Sequence, residues 1–142
     1  MLFVNKIYRQ ILELQNDGET MYQNFVRVVD MVNVIISQYD LPEMGNLFLL
    51  PQKGNVAFGT GKDCWGFSLT RFAQIFADKF KTDRTKMMDK LWGDNYFDSE
   101  RKVWTTNEVT ESGKQLKRTF VQFIMDPIIK LARAVLEGNK EQ

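Results

Sequence analysis

Val56-Ala57-Phe58-Gly59-Thr60-Gly61-Lys62-Asp63 is a short apolar run that passes directly into a glycine-rich turn. Val56-Ala57-Phe58 has the length and side chains of a strand, and the glycines that follow give the backbone freedom to turn tightly. Beyond the turn, Cys64-Trp65-Gly66-Phe67 leads to Ser68, a predicted cap for a helix that carries Leu69, Phe72, Ile75, Phe76 and Phe80 on one face. Upstream, Leu47-Phe48-Leu49-Leu50 reads as another strand, and the five turn-forming residues Pro51-Gln52-Lys53-Gly54-Asn55 predict a hairpin between the two.

The helix before this region is the clearest pattern in the chain. Met21, Phe25, Val28, Val29, Val32, Ile35, Ile36 and Tyr39 recur at three- and four-residue intervals as one broad apolar face, opposite Gln23, Asn24, Arg27 and Asp30. Asn16-Asp17-Gly18 supplies its start, and Asp40-Leu41-Pro42 its end, because proline cannot continue the hydrogen-bond ladder. Further back, Leu2-Phe3-Val4 reads as the last residues of a buried strand, and Ile11, Leu12 and Leu14 as a short helical turn.

Downstream, a helix is expected from Arg84 to Trp92 with Met87, Met88 and Leu91 in the core, closed by Gly93. Tyr96-Phe97 and Val103-Trp104 flank a polar five-residue link as a small hairpin, and Thr105 to Lys117 is a polar loop. Helical period returns with Phe120, Phe123 and Ile124. Pro127 should kink that helix or start a second one capped by Asp126, with Ile128, Leu131, Ala132 and Val135 extending the apolar face to Gly138.

Composition narrows the chemistry. The 142 residues are 44% hydrophobic, enough for one modest core, and 19 basic against 18 acidic residues leave a net charge of +1. The whole-chain field therefore gives no argument for a nucleic-acid groove or an anionic membrane. With no histidine, triads and metal clusters built on imidazole are excluded, and the single Cys64 permits no internal disulfide and fits a reducing compartment. The longest apolar run, Phe25 to Ile36, is broken by Arg27, Asp30 and Asn33, so no membrane span and a cytoplasmic location are expected.

Other candidates have plainer alternatives. Asp94 and Asp98 beside Trp92 and Tyr96 have the makings of a sugar-cleaving acid pair, but capping and solvation account for them better. Lys79, Lys81, Arg84, Lys86 and Lys90 form a modest basic group suited to phosphate, and read first as a solvated face. Trp65, Trp92 and Trp104 read as core or interdomain anchors. Gly59-Thr60-Gly61-Lys62 is not a phosphate-binding P-loop, because the required Gly-x-x-x-x-Gly-Lys spacing is missing.

Asn5-Lys6, just after an apolar strand end, resembles the guanine-recognition corner of GTPases, Asn-Lys-x-Asp. Taken with Met21-Tyr22-Gln23-Asn24-Phe25, Val32 to Ser37, Gly54 to Gly59, Trp65-Gly66-Phe67, Lys90 to Asp94, Tyr96-Phe97 and Asp126-Pro127-Ile128, the order of blocks resembles eukaryotic and archaeal translation elongation factor two from end to end. The resemblance implies an α/β fold: the carboxyl-terminal part of a P-loop GTPase-type domain, incomplete, with an inserted mixed α+β subdomain. Residues 1–65 would belong to the GTP-binding domain, 66–119 to the inserted G-prime subdomain, and 120–142 to the returning helix.

It further implies that Asn5, Lys6 and Tyr8 stand at the guanine corner and that Thr60, Gly61 and Lys62 form the later loop whose backbone meets guanine. The family hydrolyses GTP on the ribosome, moving transfer and messenger RNA by one codon. The implied ligand is GTP, with magnesium only in the complete protein, and the implied partners are the ribosome with its RNA and the factor's remaining domains. Tyr8 departs from the pattern, since a phenol cannot replace a carboxylate that accepts two hydrogens from guanine. Lys62 and Asp63 replace a usually apolar and a usually imidazole-bearing position. The phosphate, magnesium and catalytic-water motifs of the family have no counterpart in the sequence, so this chain is expected to be a catalytically silent fragment. The alternative is a divergent, non-enzymatic interaction module.

Overall fold

Strand β1 (Leu2–Val4) lies parallel to β2 (Val56–Thr60), and β2 pairs antiparallel with β3 (Trp65–Ser68), giving a three-stranded sheet in the order β1-β2-β3. The computed structural model describes residues 1–39, 42–136 and 138; Asp40 and Leu41, expected at the end of the first helix, lie outside them. β3 is an addition to the sequence reading, which took Cys64 to Phe67 as a lead-in to a helix. Gly59 sits opposite Gly66 in the register, and a Cβ at Gly59 would come within 2.5 Å of the Trp65 carbonyl oxygen and 2.9 Å of Phe3 Cζ. The Phe3 ring thus covers backbone that only glycine leaves open.

The predicted hairpin partner of β2 is not a strand. Leu47 to Leu50 is irregular because side-chain amides take its backbone groups. Asn33 Nδ2 donates to the Leu49 carbonyl at 2.8 Å while its Oδ1 accepts from Leu49 N–H at 2.7 Å. Asn55 treats Phe48 and Leu50 similarly: Nδ2 donates to the Phe48 carbonyl at 3.1 Å, and Oδ1 accepts from Leu50 N–H at 2.9 Å. The place beside β2 that this strand would have needed is held by β1.

Helix α1 (Gly18–Ser37) starts where Asp17 Oδ1 accepts from Thr20 N–H at 2.8 Å. Its buried stripe is Met21, Tyr22, Phe25, Val29 and Asn33, with Val32 and Ile36 packed against the core as expected; the stripe is offset from the predicted face only enough to leave Val28, Ile35 and Tyr39 exposed. Tyr22 and Asn33 explain the offset. Both are polar-tipped residues that find partners inside, Tyr22 at the Gly93 amide and Asn33 at Leu49.

Helix α2 (Leu69–Phe80) buries Leu69, Ala73 and Ala77, with Phe72, Phe76 and Phe80 half-buried and Ile75 exposed. Ser68 precedes it without a side-chain capping bond. α3 (Arg84–Lys90) is capped by Asp83, and Met87, Met88 and Leu91 are buried as expected. β4 (Tyr96–Asp98) and β5 (Val103–Thr105) form the expected hairpin.

Thr119 to Leu136 is one helix, of which Asp126–Leu136 is α4. Pro127 neither breaks nor restarts it, and Asp126 is no cap. Instead Val121–Met125 is wound as a wider π-turn, in which Asp126 N–H donates to the Val121 carbonyl five residues back. One extra residue in the turn gives the proline ring room, so the helix continues past a residue with no N–H.

The core is continuous across the chain. Phe58 from β2 stacks 5.8 Å from Trp92 and meets Phe120 at 5.8 Å, with Phe25 of α1 4.9 Å away. A second aromatic group, Phe76, Phe80, Phe97, Trp104 and Phe123, joins α2 and the β4-β5 hairpin to the last helix. The fold is therefore mixed α and β, with two small sheets packed among helices.

Candidate functional site

β1 and β2 run in the same direction as neighbours, so the loops that leave their carboxyl ends emerge side by side. One carries Asn5, Lys6 and Tyr8, and the other Thr60, Gly61 and Lys62. Asn5 Oδ1 accepts from the Gly61 amide at 2.9 Å, across 56 positions of sequence, and from Lys6 N–H at 2.7 Å. Lys6 is held at φ +66, a left-handed conformation that is uncommon for a side chain of its size, and the bond to Asn5 helps fix it. A few residues on, Lys62 Nζ stands 4.9 Å from the centre of the Tyr8 ring, a second tie between the loops.

Thus the structure brings five of the six sequence-predicted residues into two direct loop-to-loop contacts or, for Lys6, into a bond with the residue that makes one. Thr60 differs. It is 1% exposed at the end of β2, and its hydroxyl has no hydrogen-bond partner among the described residues. Its side chain belongs to the interior, and only its backbone is placed to act in the loop.

Both partners of Asn5 Oδ1 are N–H donors, which fixes the amide orientation: oxygen toward the backbone and nitrogen outward. The corner so built offers the Asn5 Nδ2–H₂ group, the Tyr8 hydroxyl and the Lys62 ammonium group. It is suited to an uncharged ring with carbonyl acceptors, or to an anion. Asp63, the carboxylate in the same turn, lines a different feature. With Leu12, Trp65, Ile128, Leu131, Ala132 and Val135 it borders an apolar groove of about 570 Å³ that none of Asn5, Tyr8 or Lys62 lines.

No family model matches the chain. The site therefore rests on its own geometry. Among the described residues no three His, Cys, Asp or Glu side chains group closely enough to hold a metal ion between them. Among them, too, no helix is long and apolar enough to cross a membrane.

The other candidates are taken up structurally. Asp98 Oδ1 accepts from the amides of Glu100 and Arg101 at 2.9 and 3.3 Å and turns the hairpin. Asp94 pairs with Arg118 Nη1 at 2.8 Å. These are not a free acid pair. Lys90 Nζ lies 5.0 Å from the Trp104 ring, while Lys79, Lys81, Arg84 and Lys86 are exposed.

Arg118 escaped the sequence reading. Its buried guanidinium also donates to the Gly93 carbonyl at 2.6 Å and to Glu19, and lies 4.3 Å from the Tyr22 ring. Burial alone would lower its pKa; hydrogen bonds to Glu19 and Asp94 outweigh that and raise it further above the ordinary arginine value. The apolar groove is not legible in the sequence either, where Leu131 and Val135 simply extend the apolar face of the last helix.

Proposed function

We propose that the chain carries the base-recognition corner of a translational GTPase of the elongation-factor-two type, and that GTP hydrolysis belongs to the complete protein. One observation carries the reading: Asn5 Oδ1 joins the Gly61 amide at the carboxyl ends of adjacent parallel strands. In open α/β sheets ligands bind at that edge, outside the strand ends. The Asn-Lys turn and the Thr-Gly-Lys turn, far apart in sequence, meet there as a nucleotide corner requires.

In this reading GTP is the ligand. Asn5 meets the purine edge, the Gly61 and Lys62 backbone borders it, and Lys6 and Lys62 supply positive charge. Phosphate, magnesium and the attacking water are left to the complete protein, whose further domains, ribosome and RNA are the proposed partners in the cytoplasm. The incomplete P-loop-type α/β fold, divided at residues 65 and 119 by an inserted subdomain, is part of the same proposal.

The test is a nucleoside titration of the isotopically labelled chain followed by amide NMR. Guanosine at roughly millimolar concentration, where binding is worth about 4 kcal/mol, should shift Asn5, Lys6, Gly61 and Lys62. Cytidine should not. Absence of a localised response to any purine nucleoside would remove the reading. Calorimetry with GTP in the tens of micromolar should show no saturable heat, since a base corner alone supplies only part of the affinity.

The non-enzymatic interaction module remains a second reading because of the apolar groove, where Leu131 and Val135 are 63% and 71% exposed. It expects no nucleoside response at the corner.

A further inference from the structure

Helix α1 is apolar on more sides than the core uses. Besides the buried stripe it carries Val28, Met31, Val34 and Ile35, and Tyr39 follows just past its end; all five are exposed, Met31 at 63%. A helix that is hydrophobic nearly all round is ordinarily covered on both sides. Val28, Met31, Ile35 and Gln38 recur at intervals of three, four and three, the spacing with which one helix presents a seam to another. Toward the helix start the seam is closed off by Asn24, whose Nδ2 donates to Gln10 Oε1 at 3.1 Å. With Arg27 and Gln38 at its ends, the open stripe amounts to roughly 800 Å², the area one subunit contributes to an interface of standard size.

We infer that this face is a two-fold interface between two copies of the chain, with their α1 helices packed antiparallel and Met31 of each copy against Ile35 of the other. A surface that meets itself across a two-fold must match when turned end for end. This stripe does: aliphatic residues fill its middle, with Arg27 at one end and Gln38 at the other, so reversal lays apolar on apolar and polar on polar. The antiparallel arrangement also sets the helix dipoles head to tail. Other occupants fit less well. Glu19, Arg27 and Asp30 are the only charges on α1, so it lacks the basic rim that holds an amphipathic helix on an anionic membrane. The face is also the convex side of a helix, whereas a small molecule needs a concavity.

Sedimentation velocity on the full chain is the test, and it should show one reversible monomer–dimer equilibrium with a midpoint on the order of tens of micromolar. Met31→Lys and Ile35→Glu alter exposed residues, so each variant keeps the fold, as circular dichroism would verify. Each should weaken self-association by about tenfold or more, because it carries an unpaired charge into an apolar seam.

Mixed in equal amounts, the two variants should dimerise with each other. The introduced ammonium then faces the introduced carboxylate in one half of the seam, and the other half keeps Met31 against Ile35. A chain that stays monomeric throughout, whether the face is bare or kept for a different protein, overturns the inference. So does an oligomer larger than a dimer, self-association that neither substitution disturbs, or a mixture that does not dimerise. None of these outcomes bears on the nucleoside titration.

Discussion

Arg118 and Glu19, 99 positions apart in the chain, form a two-pronged pair in which Nε and Nη2 each reach a carboxylate oxygen at 3.1 Å. The pair fastens the start of α1 to the start of the last helix, and the same guanidinium holds the Gly93 turn. Replacement of Arg118 by methionine keeps much of the packing but leaves the Gly93 carbonyl without its donor. Urea unfolding should show a loss of about 2–3 kcal/mol. A change under about 0.5 kcal/mol, the range of an ordinary surface substitution, would mean that the guanidinium is ornamental.

Tyr22 predicts a response to alkali. Burial raises its pKa above the ordinary tyrosine value of 10.0, against the opposing pull of Arg118. In the unfolded chain the phenol ionises near 10, whereas in the folded chain it holds its proton to higher pH. The folded state therefore binds the extra proton, and this contribution to stability is intact below about pH 10 and is lost as pH rises above it. Melting temperatures measured from about pH 9 to 11 should fall more steeply in the wild type than in Tyr22→Phe, which also gives up the bond from Gly93 N–H. Parallel curves would contradict the assignment.

Asn33 is the buried clamp on Leu49, making one bond in each direction. Asn33→Leu fits the apolar stripe of α1 by hydropathy but strands a buried N–H and carbonyl. The expected cost is about 2–4 kcal/mol, together with faster amide exchange at Leu49. Unchanged exchange at Leu49 would show that the clamp is not needed to hold the segment.

Thr60 should behave in the opposite way. Its hydroxyl is enclosed without a partner among the described residues, so Thr60→Val, nearly the same shape, removes a polar atom that none of them satisfies. Stability should rise by up to about 1 kcal/mol, and any nucleoside response at Gly61 should persist because only the Thr60 backbone faces the loop. A marked loss of stability would reveal a hydroxyl partner that the geometry does not show.

Local patterns made much of this architecture legible. Leu2–Val4, α1, α3 and the β4-β5 hairpin follow from apolar spacing, caps and turn residues, and the two turns of the candidate corner could be picked out singly. What could not be read was decided at long range. Leu47 to Leu50 has a strand's composition, yet the amides that claim its backbone belong to Asn33 and Asn55. Asn33 did carry a signal, a polar residue in the buried stripe of α1. β3 was hidden because Gly66 weakens its pattern, and it is the opposed Gly59 and the Phe3 ring that make glycine fit there. At the corner, the Asn5 to Gly61 bond depends on β1 and β2 being neighbours, which no local pattern dictates.

The widened turn at Val121–Met125 has a further consequence for the end of the chain. A residue inserted into a helix works like an extra click on a dial: everything beyond it is rotated by about 100° relative to a regular winding. Phe120 points inward before the click and Ile124 within it. After it Ile129 inherits that direction, and Leu131 and Val135 are swung out to border the groove. The oily rim of that groove is thus set by winding as much as by composition, and removing a single residue from 121–125 would re-aim it without altering one of its side chains.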